Sequence, residues 1–398
     1  MDTKRAVRIT AVAASAQLGG TERVLLDFAA RAFEHDLNLR VLTPRDGPLI
    51  AILNEIGVPA QVVPASERML AGSQRAGHLW SLPGSIAGLI AWARALDRHE
   101  FFEDADAIYT VAFKAHLAVA WLRRHPAVWH LHEYPPALTG TGWRVLSRYL
   151  PDAVIANSEA TARAWGKPAT AVVRNGVDLD RFHPRPRSSW IHERLGIPRS
   201  HRIVGMPAVF ARWKGQIEVI KAFSAIRNPL SDVHLVFVGG SIYDTVSERE
   251  YGDELVAAIS GERIHLLPFQ PKIELVYPEF DLVLHYSLRP EPFGRVILEA
   301  MASGVPVIAA GEGGPIEILG DVTNRRTAGP PDRPVGWLAP PRNVPALAQT
   351  LRDALSLPAE QLHAMGEAAR RRAEDHFSAR QFARKVADAL RGAVLETP

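Results

Sequence analysis

The chain has 398 residues, 47% of them hydrophobic and 22% charged, with a formal net charge of +3 and a sequence pI near 9.2. That length suits two domains of roughly 150–200 residues each, and so weak a positive balance gives no case for a nucleic-acid partner. There is no cysteine, which excludes disulfides, thiolate chemistry and Cys-ligated zinc.

The opening MDTKRAVRITAVAA puts basic residues before an apolar run. That run breaks at Gln17 and passes into Gly19-Gly20, so it reads as a strand and not as a signal peptide. The longest apolar stretch, Ile86–Ala93, falls far short of the ~18 residues of a spanning helix. A cytoplasmic protein is expected. Further strands are expected at Asn38–Leu42, Ala60–Val63, Ala107–Val111, Val128–His132, Ala153–Ala156 and Ala171–Val173, following a first strand at Val7–Ala13. Helical patterns such as Glu22–Phe33, Ser85–Asp97 and Ala115–Arg124 lie between them. Such alternation makes parallel sheets with crossover helices.

In RFHPRPRSS, Arg181–Ser189, prolines, positive charge and loss of apolar period coincide, which reads as an interdomain linker. The alternation then resumes. Strands are expected at Ile203–Pro207, His234–Val238, Ile264–Leu267, Leu282–His285 and Pro306–Ala309, with helices at Gly215–Ile226, Asp253–Ser260 and Gly294–Ala302. The expected fold class is therefore α/β, with two Rossmann-like doubly wound domains facing each other across a cleft. The domains are expected at residues 1–185 and 186–376, with residues 377–398 left as a closing helix. TNRRTAGPPDRP, Thr323–Pro334, reads as a polar loop, and Pro358–Leu395 as two charged amphipathic helices.

Doubly wound domains bind nucleotides at the carboxyl ends of their strands. The GxGxxG fingerprint is missing after the first strand. Instead Gly19-Gly20 opens a helix, with Thr21 as N-cap and Glu22 in the first turn. A glycine pair lets a ligand approach the backbone at a positive helix end, although a plain βα turn uses the same residues. Further on, EPFGRVILE places Glu291 in a loop and Glu299 inside the helix that starts near Gly294. The free N–H groups of that helix attract phosphate. Glu299 lies about 8 Å along the axis at ~1.5 Å per residue. One carboxylate before a phosphate-attracting end and one beyond it match the layout of a nucleotide-diphospho-sugar. Glu291 would accept hydrogen bonds from the sugar, and Glu299 from the ribose. A helix that merely buries Val296, Ile297 and Ala300 would carry the same spacing.

The stretch SLRPEPFGRVILEAMASGVPVIAAGEGGPIEIL resembles the retaining GT-B glycosyltransferases of the GT4 family, glycosyl transferases group 1. Their E-x7-E signature falls on Glu291 and Glu299, and GGP falls on Gly313–Pro315. VIANSEATA at Val154–Ala162, VVRNGVDLDRFHP at Val172–Pro184, WKGQ at Trp213–Gln216 and LVFVGGS at Leu235–Ser241 resemble further family segments in the same order. The resemblance implies a donor site in the second domain, where Lys214 and the backbone of Gly294, Arg295 and Val296 hold the diphosphate. It also implies that Gly19 and Gly20 close on the diphosphate from the first domain. His132, in VWHLHEYP, matches the catalytic-region histidine, and the last helix crosses back to the first domain. The family's arginine five or six residues before the lysine is replaced here by Val209 and Ala208. Arg212 is the substitute near at hand.

Two acidic pairs suggest metal less well. The strand follows EDAD, Glu103–Asp106, where a metal-holding Asp-x-Asp would end a buried strand. Asp178-Leu179-Asp180 has the same weakness. His130 and His132 share a strand face, yet no second ligand cluster accompanies them. Metal and cofactor are both expected to be absent. The expected activity is hexosyl transfer from a nucleotide-sugar, most commonly UDP-linked in the family, to an acceptor hydroxyl, with retention. Alternatives are a non-catalytic partner subunit and an epimerase or phosphorylase of the same fold. The acceptor (glycan, lipid carrier or natural-product aglycone) would meet Trp80, Tyr134 and Trp143 of the first domain. The basic aromatic AVAWLRR, Ala118–Arg124, also suits peripheral contact with the inner membrane face.

Overall fold

The structure, a computed structural model, describes residues 5–71, 83–122, 124–136, 140–166, 169–226, 231–240, 246–259, 261–320, 322–324, 327–328 and 334–396. Trp80 and most of the 323–334 loop lie outside those residues. The chain forms two compact units: residues 1–176 together with 379–398, and residues 177–378.

In the first unit, β1 (Val7–Val12), β2 (Leu37–Thr43), β3 (Ala60–Val62), β4 (Ala107–Thr110), β5 (Ala127–Leu131), β6 (Ala153–Ala156) and β7 (Ala171–Val172) form one parallel sheet of order β3-β2-β1-β4-β5-β6-β7. The central strands AIYT, AVWHL and AVIA are buried along their whole length, as a sheet covered on both faces requires. The closing helix, Ala379–Glu396, belongs to this unit. Phe382, Ala383, Val386, Ala387, Leu390 and Ala393 form its buried stripe, at helical spacing, in one core with Ile9, Phe28 and Tyr109. A Cβ on Gly176 would stand 2.6 Å from Ala379 Cα, so only glycine lets the end of one segment lie against the start of the other.

In the second unit, β8 (Arg202–Pro207), β9 (Val233–Gly239), β10 (Ile264–Pro268), β11 (Leu282–His285), β12 (Val307–Ala310) and β15 (Gly336–Ala339) run parallel. Short strands β13 (Val322–Asn324) and β14 (Thr327–Ala328) extend the sheet antiparallel, giving the order β10-β9-β8-β11-β12-β15-β14-β13. Both sheets reverse direction of winding beside their first strand, the switch point at which such sheets bind ligands.

Three sequence expectations shift. The segment Arg181–Ser189 is no linker. The chain changes unit between Gly176 and Val177, and the basic segment is packed on the second unit. Arg181 donates to Glu274 at 2.8 Å, Arg187 pairs with Asp281 at 2.9 Å, and Ser188 gives both N–H and hydroxyl to Glu279 at 2.8 Å. Its prolines and charges mark side-chain docking rather than freedom. The expected helix Glu22–Phe33 divides into an α-helix, Gly20–Ala29, and a 3₁₀ turn, Ala32–His35. The expected loop 323–334 contains the strand pair β13–β14 among its described residues, and β15 follows it; both were too short to carry a period of two.

Candidate active site

Lys214 lies in a 3₁₀ turn, Arg212–Lys214, after β8. Gly215 follows at φ 74°, where a Cβ would stand 2.3 Å from the Tyr286 carbonyl oxygen. Glycine is required there by both conformation and space. The Leu288 amide donates to the Trp213 carbonyl at 2.7 Å, which locks this turn onto the loop after β11. That loop carries Glu291. Its carbonyl accepts from the Gly314 amide at 2.8 Å, at the head of the helix Gly314–Leu319.

Three donors converge on Glu291 Oε2: Ser287 Oγ at 2.8 Å, Lys214 Nζ at 3.0 Å and His285 Nε2 at 3.5 Å. The Lys214 and Glu291 side chains are only 14% and 15% exposed. Burial pushes the Glu291 carboxyl upward, but Lys214 first, then His285 and Ser287, outweigh it and hold the group well below the ordinary carboxylate range. Lys214 Nζ also sits 4.0 Å from the Trp213 ring centroid.

The helix Arg295–Ala302 begins at Gly294, whose φ is 114°. Ile297 N is bonded to Gly294 O at 3.0 Å, so Gly294, Arg295 and Val296 supply the amides ahead of the helical ladder. Glu299 is buried in the helix. Its Oε2 accepts from Tyr277 Oη at 2.7 Å, and its Oε1 lies 3.6 Å from Arg295 Nη2. Val296 packs against the core of this unit. Arg212 is engaged elsewhere: it pairs with Glu254 and lies 5.4 Å from the Tyr251 ring centroid. Ala208, at the expected arginine position, has its carbonyl where a Cβ on Gly239 would stand at 1.9 Å.

The remaining sequence candidates belong to the first unit. Gly19 caps the helix Gly20–Ala29, and Gly20 is exposed with nothing within 4 Å of a built Cβ. Burial raises the Glu22 carboxyl to about 7, against the opposing hydrogen bonds from its own amide and that of Gly19. The bond from the Gly19 amide is the N3-to-N-cap half of a capping box; Gly19 has no side chain to supply the other half. His132 stands just past β5, its ring centroid 4.0 Å from that of His130. His130 Nδ1 meets Tyr109 Oη at 2.5 Å, and His116 Nδ1 meets Thr110 Oγ1 at 2.6 Å. Burial holds His130 far below its ordinary value and His116 at about 3, so His132 has neutral neighbours at pH 7. Trp143 packs edge-on against Phe113 at 4.9 Å.

The two acidic pairs have structural partners. Arg8 binds Asp104 and Asp106, and Asp178 Oδ1 accepts from the amides of Asp180 and Arg181. Among the described residues no three His, Asp or Glu side chains form a group able to hold a metal, and no helix is long and apolar enough to cross a membrane. Sequence reasoning missed Ser287, His285 and Tyr277. A hydroxyl four residues before Glu291 was the one signal available; the Tyr277 pairing crosses 22 residues and leaves no local trace.

The family model described as Glycosyltransferase Family 4 matches residues 18–181, and that described as Glycosyl transferases group 1 matches residues 189–372. The chain is 27% identical over 232 residues to spore coat protein SA of Bacillus subtilis (strain 168), covering 54% of this chain and 57% of that protein. It is 30% identical over 223 residues to a GDP-mannose-dependent alpha-(1-6)-phosphatidylinositol monomannoside mannosyltransferase of Mycolicibacterium smegmatis, covering 54% and 55%. The chain thus spans about half the length of the curated relatives it matches. The solved structure of Anabaena Alr3699/HepE in complex with UDP-glucose is similar over 97% of this chain and 99% of that one, at 26% identity and a TM-score of 0.78. A glycosyltransferase from Rickettsia africae, at 19% identity and a TM-score of 0.76, shares the fold.

Proposed function

The chain belongs to the family 4 glycosyltransferases, the glycosyl transferases group 1, and from that premise we propose that it transfers a sugar from a nucleoside-diphosphate sugar to an acceptor hydroxyl. One observation carries this reading: a largely buried lysine and a largely buried, ionised glutamate meet at 3.0 Å in front of a glycine-opened helix. The diphosphate takes Lys214 and the amides of Gly294, Arg295 and Val296, while Glu299 accepts from the ribose and Glu291 from the sugar hydroxyls. In the reaction the bond from the anomeric carbon to the phosphate oxygen breaks and the bond to the acceptor oxygen forms on the same face. The acceptor proton passes to the leaving phosphate. Lys214 and the helix end stabilise the charge that grows on the diphosphate. They do so without a metal or other cofactor, and Glu291 orients the donor without becoming a nucleophile. A trapped glycosyl ester on Glu291 would contradict that last role.

The Anabaena neighbour was solved with UDP-glucose and the M. smegmatis relative is named for GDP-mannose, so both bases belong in the first experiment. A thermal-shift screen of UDP, GDP, ADP, dTDP and their sugar conjugates, repeated with EDTA, tests the donor and metal readings together. A ligand at ~100 times its Kd adds about 2.7 kcal/mol. A shift that survives EDTA is expected. The partner-subunit reading draws on Ala208, Val209 and the engagement of Arg212 by Glu254; no shift with any nucleotide would favour it.

Acceptor recognition falls to the first unit, with His132 as the residue for the acceptor hydroxyl. Trp121 and Tyr149 are each 70% accessible, and Arg144 and Arg148, on the segment that ends at Tyr149, are exposed, which suits a cytoplasmic protein touching an anionic membrane face. Co-sedimentation with anionic vesicles, lost in Trp121→Ser, tests that contact.

A further inference from the structure

The loop after β11 presents Glu291 Oε2 with one donor more than it has lone pairs. An ionised carboxylate oxygen offers two acceptor directions. Ser287 Oγ and Lys214 Nζ take the short contacts, at 2.8 and 3.0 Å. His285 Nε2 stands third at 3.5 Å, the outer limit of a hydrogen bond. His285 is only 5% exposed and ends β11. Its Nδ1 is buried with no hydrogen-bond partner among the described residues. A hydrogen on that atom would be an unmade buried bond, which places the ring hydrogen on Nε2, toward the carboxylate. Gly294, at φ 114°, borders the ring without a side chain: a Cβ there would stand 3.8 Å from His285 Cε1.

We infer that His285 is a positioning residue that replaces Lys214 on Glu291 when Lys214 turns to the donor diphosphate. This rests on the donor-site reading above. Binding a diphosphate draws the ammonium away and vacates one lone pair of Oε2. Of the three donors described on that oxygen, Ser287 Oγ and His285 Nε2 then remain. His285 closes the 3.5 Å gap and keeps the carboxylate aimed while the sugar hydroxyls arrive.

Two variants separate the hydrogen bond from ring packing. His285→Leu keeps an apolar filling and removes the donor; His285→Gln returns an N–H near the position of Nε2. Affinities are measured for UDP, UDP-glucose, GDP and GDP-mannose, with urea midpoints alongside. For whichever base binds, His285→Leu should hold the nucleoside diphosphate within about threefold and weaken the sugar nucleotide by about tenfold, the effect of one charge-assisted hydrogen bond. His285→Gln should recover most of that loss. A His285→Leu protein with native affinity for the sugar nucleotide, or a His285→Gln protein as impaired as His285→Leu, overturns the inference. A second measurement needs no nucleotide. In a Lys214→Met background the lone pair is already vacant, so His285→Leu should lower the urea midpoint further there than in the native protein. Additive midpoints overturn the inference as well. Failure of the donor-site reading looks different: Lys214→Met leaves nucleoside diphosphate affinity unchanged while the coupling with His285 persists.

Discussion

Replacing Glu291 with Gln should separate nucleotide binding from sugar transfer. Lys214 Nζ lies 3.0 Å from Glu291 Oε2, with both side chains largely buried. At that distance and an effective dielectric of ~20 the attraction is about 5 kcal/mol. Desolvating both groups offsets most of it, leaving a net of about 1–2 kcal/mol. A diphosphate arriving at Lys214 must compete with this contact. Without the carboxylate, the nucleoside diphosphate should bind about 5–30-fold tighter. Transfer should fall by about 10–100-fold, because the charge-assisted bonds to the sugar hydroxyls are lost. Calorimetric titration with UDP and GDP, and initial rates of nucleoside diphosphate release, read the two effects. The stability effect also has a sign. The Glu291 carboxyl is held below its ordinary value, so its contribution is fully present above about pH 4.3 and is lost as pH falls through the native value. The variant should therefore be less stable than the native protein at pH 7 and converge with it in acid. A Glu291→Gln protein that is folded yet binds both diphosphates more weakly would refute the competition between carboxylate and phosphate.

Other consequences follow from single contacts. Gly215→Ala puts a Cβ at a left-handed residue and 2.3 Å from the Tyr286 carbonyl, so a loss of about 2 kcal/mol or more is expected in urea unfolding. Arg212→Ala should change nucleotide affinity by threefold at most, since Glu254 and Tyr251 hold that side chain; a tenfold loss would mean that it reaches the phosphates. Burial raises the Glu22 carboxyl to about 7. Between about pH 4.3 and 7 the native group is protonated and the unfolded one ionised, so stability declines as pH rises through that window. Glu22→Gln keeps the capping geometry and should raise the Tm at pH 8 but not at pH 4, and equal changes at both would remove the burial argument.

Much of this architecture was legible because the central strands are short, largely apolar runs between turn and helix signals, as in AVIA and LVLH. The EPFGRVILE stretch was legible for a local reason too: glycine, helix start and two carboxylates lie within nine residues. What stayed hidden depends on partners distant in sequence. Lys214 and Glu291 are 77 residues apart, and nothing near either predicts that they touch. Arg181–Ser189 looks like a linker until Glu274, Glu279 and Asp281 are placed beside it. Arg212 sits two residues from Lys214, yet its carboxylate is on another helix. His285 carries no motif, and only its approach to Glu291 singles it out.

The closing helix has a consequence for synthesis. The first unit's core includes Phe382, Val386 and Leu390, which leave the ribosome after the entire second unit. At about 5–20 residues per second, the intervening stretch of about 200 residues takes about 10–40 s. During that time the faces of Ile9, Phe28 and Tyr109 that the helix will cover have no native partner. The nascent first unit thus keeps part of its apolar core without native cover until the last stripe of apolar residues emerges, whereas the core clusters of the second unit draw on its own residues alone.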